Sequence, residues 1–180
     1  ENGANGLPDN WTVFPQNIAI YTWDANYSNM GNHSVKVEIA GTDFGMWQQT
    51  VDVNAGIVYT LSGDVSFENV NSDGYCNLEV VFRDSNNQII EHVDLAKHCN
   101  GSRCFELDFP YSMKFRAPAE AVTAEINCFL KGPGSAWFDD MFFATAPLGN
   151  IAGTVSSDGQ KLEGVNVYLN GQPWGEDYND

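Results

Sequence analysis

Three features of the sequence predict an all-β chain arranged as an antiparallel sandwich or barrel. Short runs alternate apolar and polar residues, and each run is closed by Gly, Asn, Asp or Pro. Helical periodicity is nearly absent; its best candidate, Pro118 to Ala124, runs straight into a strand-like stretch. Charged residues make up only 18% against 43% hydrophobic, so the surface must draw on Asn, Ser, Thr, Gln and Gly, as in many extracellular β proteins.

The elements follow in order. Ser34 to Ile39 alternates cleanly, and so does Gln49 to Val53, which is closed by the turn Asn54-Ala55-Gly56. Tyr59 to Phe67 comes next, then a turn at Asn71-Ser72-Asp73-Gly74. Cys76 to Arg83 reads as a strand, turned by Asp84-Ser85-Asn86-Asn87 into Gln88 to Val93. After the irregular segment Asn100 to Pro110 come Tyr111 to Arg116 and a long strand, Val122 to Lys131. Gly132-Pro133-Gly134 breaks that strand, and Ala136 to Ala144 closes the unit. About nine strands at this spacing, with no helices between them, exclude a parallel α/β fold.

Side chains alternate faces along a strand. Cys76, Leu78, Val80 and Phe82 therefore share one face, and Asn77, Glu79, Val81 and Arg83 the other. Val122, Ala124, Ile126, Cys128 and Leu130 likewise oppose Thr123, Glu125, Asn127, Phe129 and Lys131. If these strands pair antiparallel, Cys76 and Cys128 point into the core near one level. They then form either a disulfide or two buried thiols, and Cys99 with Cys104 would close a small loop. The opposite, polar face carries one aromatic and reads equally as a solvated face or as a sugar-binding one.

A formal net charge of −16 disfavours nucleic acid and anionic membranes and suits divalent cations or neutral ligands. No apolar run is long enough to span a membrane. An even number of cysteines without a C-x-x-C pair, and sequons at Asn10, Asn26, Asn32 and Asn100, fit a secreted protein. The start at Glu1 without Met fits removal of an upstream segment. Nothing points to catalysis: G-x-S-x-G, H-E-x-x-H and phosphate-loop patterns are missing. His92, His98, Cys99 and Cys104 are close in sequence but fit no standard metal spacing.

Several motifs stand in the order found in carbohydrate-binding modules of families four, nine and sixteen. Glu1-Asn2-Gly3 and Gly6-Leu7-Pro8-Asp9-Asn10-Trp11 resemble the opening of those modules, and Gly31 to Val37 resembles their Gly loop and Ser-Val strand. Trp47 to Val53 with Gly56 and Tyr59 to Gly63 resembles the next strand pair. Phe115, Pro118 and Ala119, then Ala136 to Met141, resemble the closing pattern. The resemblance covers residues 1–146. It implies a jelly-roll sandwich with one structural Ca2+, held by Glu1, the Gly31-Asn32 loop, Asp140 and Asp139. It also implies a non-catalytic module that binds polysaccharide. Trp11 and Trp137 would stack on sugar rings, and Gln48, Asn77, Glu79, Arg83, Gln88, Glu125 and Asn127 would be polar partners. Trp47 shares parity with Val51 and Val53 and is expected in the core. Trp23 and Tyr27 are expected near one end of a cleft.

Residues 147–180 open with a short linker. From Ile151 to Gly171 they resemble the first two strands of a transthyretin-like, carboxypeptidase-regulatory-type sandwich. Two strands alone are marginal in water. This β-hairpin tail therefore raises an alternative function: an extracellular filament or surface-layer subunit that self-assembles by strand sharing through residues 149–180.

Overall fold

The computed structural model describes residues 7–29, 31–94, 111–146, 156–157 and 160–161. Its strands are β1 (Thr12–Phe14), β2 (Ile20–Asp24), β3 (Ser34–Ile39), β4 (Phe44–Asp52), β5 (Val58–Glu68) and β6 (Tyr75–Arg83). These are followed by β7 (Ile89–Asp94), β8 (Tyr111–Arg116), β9 (Thr123–Lys131) and β10 (Gly134–Thr145). The short pair β11 (Ser156–Ser157) and β12 (Gln160–Lys161) forms a hairpin in the tail. No helix occurs among the described residues. The stretch from Pro118, the best helical candidate, is instead a turn in which the Ala121 amide donates to the Pro118 carbonyl at 3.1 Å.

Two five-stranded antiparallel sheets form a jelly-roll sandwich, one in the order β1-β4-β9-β6-β7 and the other in the order β2-β3-β10-β5-β8. Their inner faces are the apolar sets that alternation assigns, except for Val122, which precedes β9 and is exposed. Trp47, Leu78, Val80, Phe82, Ala124, Ile126 and Leu130 line the first sheet, and Val37, Leu61, Val65, Ala136 and Phe138 line the second. Trp47 is fully buried, and its Nε1 donates to the Lys36 carbonyl at 2.9 Å, which ties β4 to β3 across the sandwich.

Strand register corrects the expected disulfide. On β6 and β9, Cys76 lies opposite Leu130, and Leu78 lies opposite Cys128. The two cysteines are therefore diagonal neighbours, residues that stand about 7–8 Å apart with their Cβ atoms somewhat closer, whereas a disulfide needs Cβ atoms about 3.8 Å apart. Both are buried free thiols. Cys99 and Cys104 lie outside the described residues.

Candidate functional site

The outer face of the first sheet is built by the residues that alternate with the core. Across all five strands, Thr12, Gln48, Asn127, Glu79 and Asp94 stand side by side in one hydrogen-bonding row. The row on one side holds Thr50, Glu125, Val81 and His92. The row on the other side holds Phe14, Met46, Phe129 and Asn77, and beyond it stand Phe44, Lys131 and Tyr75.

Four rings form a strip at that end of the face. Phe14 and Phe44 have centroids 6.2 Å apart, Phe44 stacks on Phe129 at 5.7 Å, and Phe129 stacks on Tyr75 at 5.4 Å. The strip crosses β1, β4, β9 and β6, and Phe14 is 51% exposed. Of these rings, sequence parity had placed Phe129 alone on the polar face. Phe14 escaped because β1 is too short to show alternation. Tyr75 directly precedes the run from Cys76, and Phe44 lies five residues before the run from Gln49.

The middle of the face is charged and partly buried. Asn77, Glu79 and Asn127 are all buried. Arg83 Nη2 reaches Glu125 Oε2 at 3.3 Å. Burial pushes the Glu79 carboxyl above its ordinary range; His92 pulls the other way and Asp94 adds to the rise. Glu79, His92 and Asp94 present donor atoms that all lie within 4.8 Å of one another, a group able to hold a metal ion. His92 Nε2 is 3.3 Å from Glu79 Oε2 and 3.4 Å from Asp94 Oδ1, and Asn77 Nδ2 donates to Asp94 Oδ1 at 2.8 Å.

The sugar-site candidates divide between surfaces. Gln48, Asn77, Glu79, Arg83, Glu125 and Asn127 share the face just described. Gln88 sits in the adjoining turn, where its backbone amide donates to Asp84 Oδ1 at 2.8 Å. Trp137 projects from β10 on the outer face of the other sheet. Its Nε1 donates to Asp24 Oδ2 at 2.9 Å, Lys36 Nζ lies 5.0 Å from its ring, and the Tyr27 ring is 5.1 Å away. A cavity of about 380 Å³ opens there beside Tyr27, Ser34, Asp64, Ser66 and Asp139. Trp11 packs against the core and borders a small cavity with Trp23, His33 and Asp140.

That end of the molecule gathers carboxylates. Asn29 donates from its backbone amide to Asp139 Oδ2 at 2.7 Å and from Nδ2 to Asp64 Oδ2, and its Nδ2 is 3.5 Å from Asp140 Oδ2. Desolvation, then the charges of Asp139 and Asp64, raise the Asp140 carboxyl above its usual range. Asp140 holds a left-handed φ of 50° beside a register shift in the β10–β5 ladder. The three carboxylates gather about Asn29, but among the described residues the group whose donor atoms all lie within 4.8 Å of one another is Glu79, His92 and Asp94, on the other sheet. Glu1 lies outside the described residues.

No protein-family model and no curated protein matches the sequence. Among solved structures, the chain is similar to the enzymatically active domain of tailspike protein 4 from bacteriophage CBA120, with a TM-score of 0.59 and 16% identity over 77% of this chain. It spans only 20% of that protein. It is also similar to the C-terminal family 22 carbohydrate-binding module of Clostridium thermocellum Xyn10B, with a TM-score of 0.56 and 15% identity over 79% of this chain and 90% of the module. A third likeness is to TmCBM61 in complex with β-1,4-galactotriose, with a TM-score of 0.51 and 14% identity over 79% of this chain and 92% of that one. At these identities the likeness is one of fold: a β-sandwich shared with several carbohydrate-binding modules.

Proposed function

We propose that residues 1–146 form a non-catalytic, secreted module that binds a neutral, β-linked polysaccharide along the outer face of the first sheet. The observation that carries this reading is the four-ring strip Phe14–Phe44–Phe129–Tyr75 lying beside a continuous row of hydrogen-bonding side chains. A glycan needs both. Pyranose C–H groups pack on aromatic faces, and hydroxyls pair with amides and carboxylates that are already held in place. Adjacent strands are about 4.8 Å apart, so a chain crossing them meets one ring per strand. Solved modules with this fold are described as a xylan-binding domain and as a complex with β-1,4-galactotriose, which supports the substrate class. Gln48, Asn77, Glu79, Arg83, Glu125 and Asn127 act on this face. Trp137 is held by Asp24, Lys36 and Tyr27 and supports the opposite sheet.

The module carries a structural Ca2+ between Asp139, Asp140 and the loop at Asn29, Gly31 and Asn32. The bound ion supplies charge compensation for carboxylates that otherwise repel. Asp64 and the Asn29 amide complete the oxygen set. An attached catalytic domain would gain local substrate concentration from such a module.

Affinity electrophoresis or calorimetry across xylan, glucan, mannan and galactan tests the glycan reading. Phe129→Ala removes two ring contacts at the centre of the strip and is expected to weaken binding about tenfold, on the order of 1.4 kcal/mol. Trp137→Ala is expected to leave the affinity nearly unchanged. The opposite ranking, or a wild-type protein retarded by none of these glycans, would refute the assignment.

A further inference from the structure

From the geometry at the β7 edge of the first sheet, we infer that Glu79, His92 and Asp94, with the carboxamide of Asn127, bind one divalent transition-metal ion of the zinc class. The inference stands without the glycan reading, because it concerns the ion alone.

The distances fit a small tetrahedral ion. With metal–ligand bonds of 2.0–2.1 Å, the donors of a tetrahedral zinc site stand about 3.3–3.4 Å apart. His92 Nε2 already lies 3.3 Å from Glu79 Oε2 and 3.4 Å from Asp94 Oδ1. An imidazole nitrogen with two carboxylates suits Zn2+, Co2+ or Ni2+, whereas Ca2+ takes six to eight oxygens. Asp94 is also supported from behind by the Asn77 amide, the kind of outer partner that fixes a ligand's orientation.

Asn127 provides an independent observation. It stands directly opposite Glu79 in the strand register, and its amide interacts with both Glu79 and Glu125. It is 3% exposed, yet its Oδ1 has no hydrogen-bond partner among the described residues. An orphaned buried acceptor is destabilising. A half-turn of the amide would exchange oxygen for nitrogen and turn the oxygen towards Glu79, where it would offer a bound ion a fourth donor. The ion would then join β7, which among the described residues is an edge strand beside β6, to β6 and β9 together.

The neighbourhood discriminates between two accounts of the same three side chains. A protonated His92 lying between two carboxylates gives similar distances, but it binds no ion and leaves the Asn127 oxygen unpaired. Zinc binding gives Glu79, His92 and Asp94 one shared partner and would give the Asn127 oxygen a ligand role.

The test uses the full chain, stripped with chelator, reduced, and free of glycan, with Co2+ as an optical probe. The expected result is one equivalent of Co2+ giving visible d–d bands of a tetrahedral site, without the near-ultraviolet charge-transfer band of a thiolate ligand, and displaced by Zn2+. His92→Ala and, separately, Asp94→Asn are expected to weaken binding at least tenfold. Asp94 is exposed, so its variant reports even if the His92 variant folds poorly. A thiolate band, an unchanged affinity in the Asp94 variant, or no bound Co2+ at millimolar concentration overturns the inference. None of these results depends on whether a glycan binds.

Discussion

Replacing Asp140 by Asn is expected to change the sign of its effect with calcium. Asp140 lies beside Asp139 and Asp64, and its carboxyl is raised above the ordinary value of 3.8. A carboxyl raised in the folded state contributes stability that is complete below the unfolded value and is lost as pH rises through the folded value. At neutral pH in chelator, the ionised Asp140 therefore costs the protein stability. The side chain is solvent-exposed. Screening limits that cost to less than about 1 kcal/mol. Asn tolerates the φ of 50° as well as Asp does. In chelator, Asp140→Asn should thus be neutral or slightly stabilising. With calcium at one hundred times its dissociation constant, the wild type gains about 2.7 kcal/mol. If loss of this ligand weakens the ion a hundredfold, the variant gains only about 0.4 kcal/mol by the same relation. The difference of about 2.3 kcal/mol corresponds to roughly 5–9 °C in melting temperature for a chain of this size. Scanning calorimetry of both proteins, with chelator and with calcium, measures the crossing. Equal melting shifts in the two buffers would remove Asp140 from any calcium site.

Three further outcomes are expected. A Cβ at Gly74 would meet the Lys131 carbonyl oxygen at 2.6 Å and Val70 Cγ1 at 3.1 Å; Gly74→Ala should cost about 1–3 kcal/mol in urea unfolding, and a change below about 0.5 kcal/mol would contradict that packing. Asp24 is held below its usual range, first by the Trp137 indole N–H and then by the Asn26 amide; the stability this adds is present above 3.8 and disappears as pH falls through the folded value, so wild type and Asp24→Asn should converge between about pH 5 and pH 2. Burial pushes the Cys76 thiol up to about 12, and Cys128 also rises well above its ordinary value; peptide mapping after native alkylation near pH 8 should find both unmodified and unlinked, and a Cys76–Cys128 crosslink would refute the register.

Strand identity and strand faces were legible in the sequence, because period-two alternation reports directly which side chains meet apolar surroundings. Ser34–Ile39 falls within the residues expected, Trp47 is in the core as its parity required, and the polar face of β6 and β9 is the one that carries Asn77, Glu79, Glu125 and Asn127. The two shortest early strands, β1 and β2, gave no alternation long enough to recognise.

What alternation cannot report is register or which sheet a strand joins, since both depend on partners distant in sequence. A two-residue offset separated Cys76 from Cys128 without changing either one's face. Membership of opposite sheets parted Trp137 from the polar side chains expected to be its partners on a glycan. The same long-range pairing brought His92 and Asp94 beside Glu79, and lined up Phe14, Phe44, Phe129 and Tyr75 from four strands. Local chemistry determined the sandwich and its polar face; only the tertiary pairing decided which groups on that face stand close enough to act together.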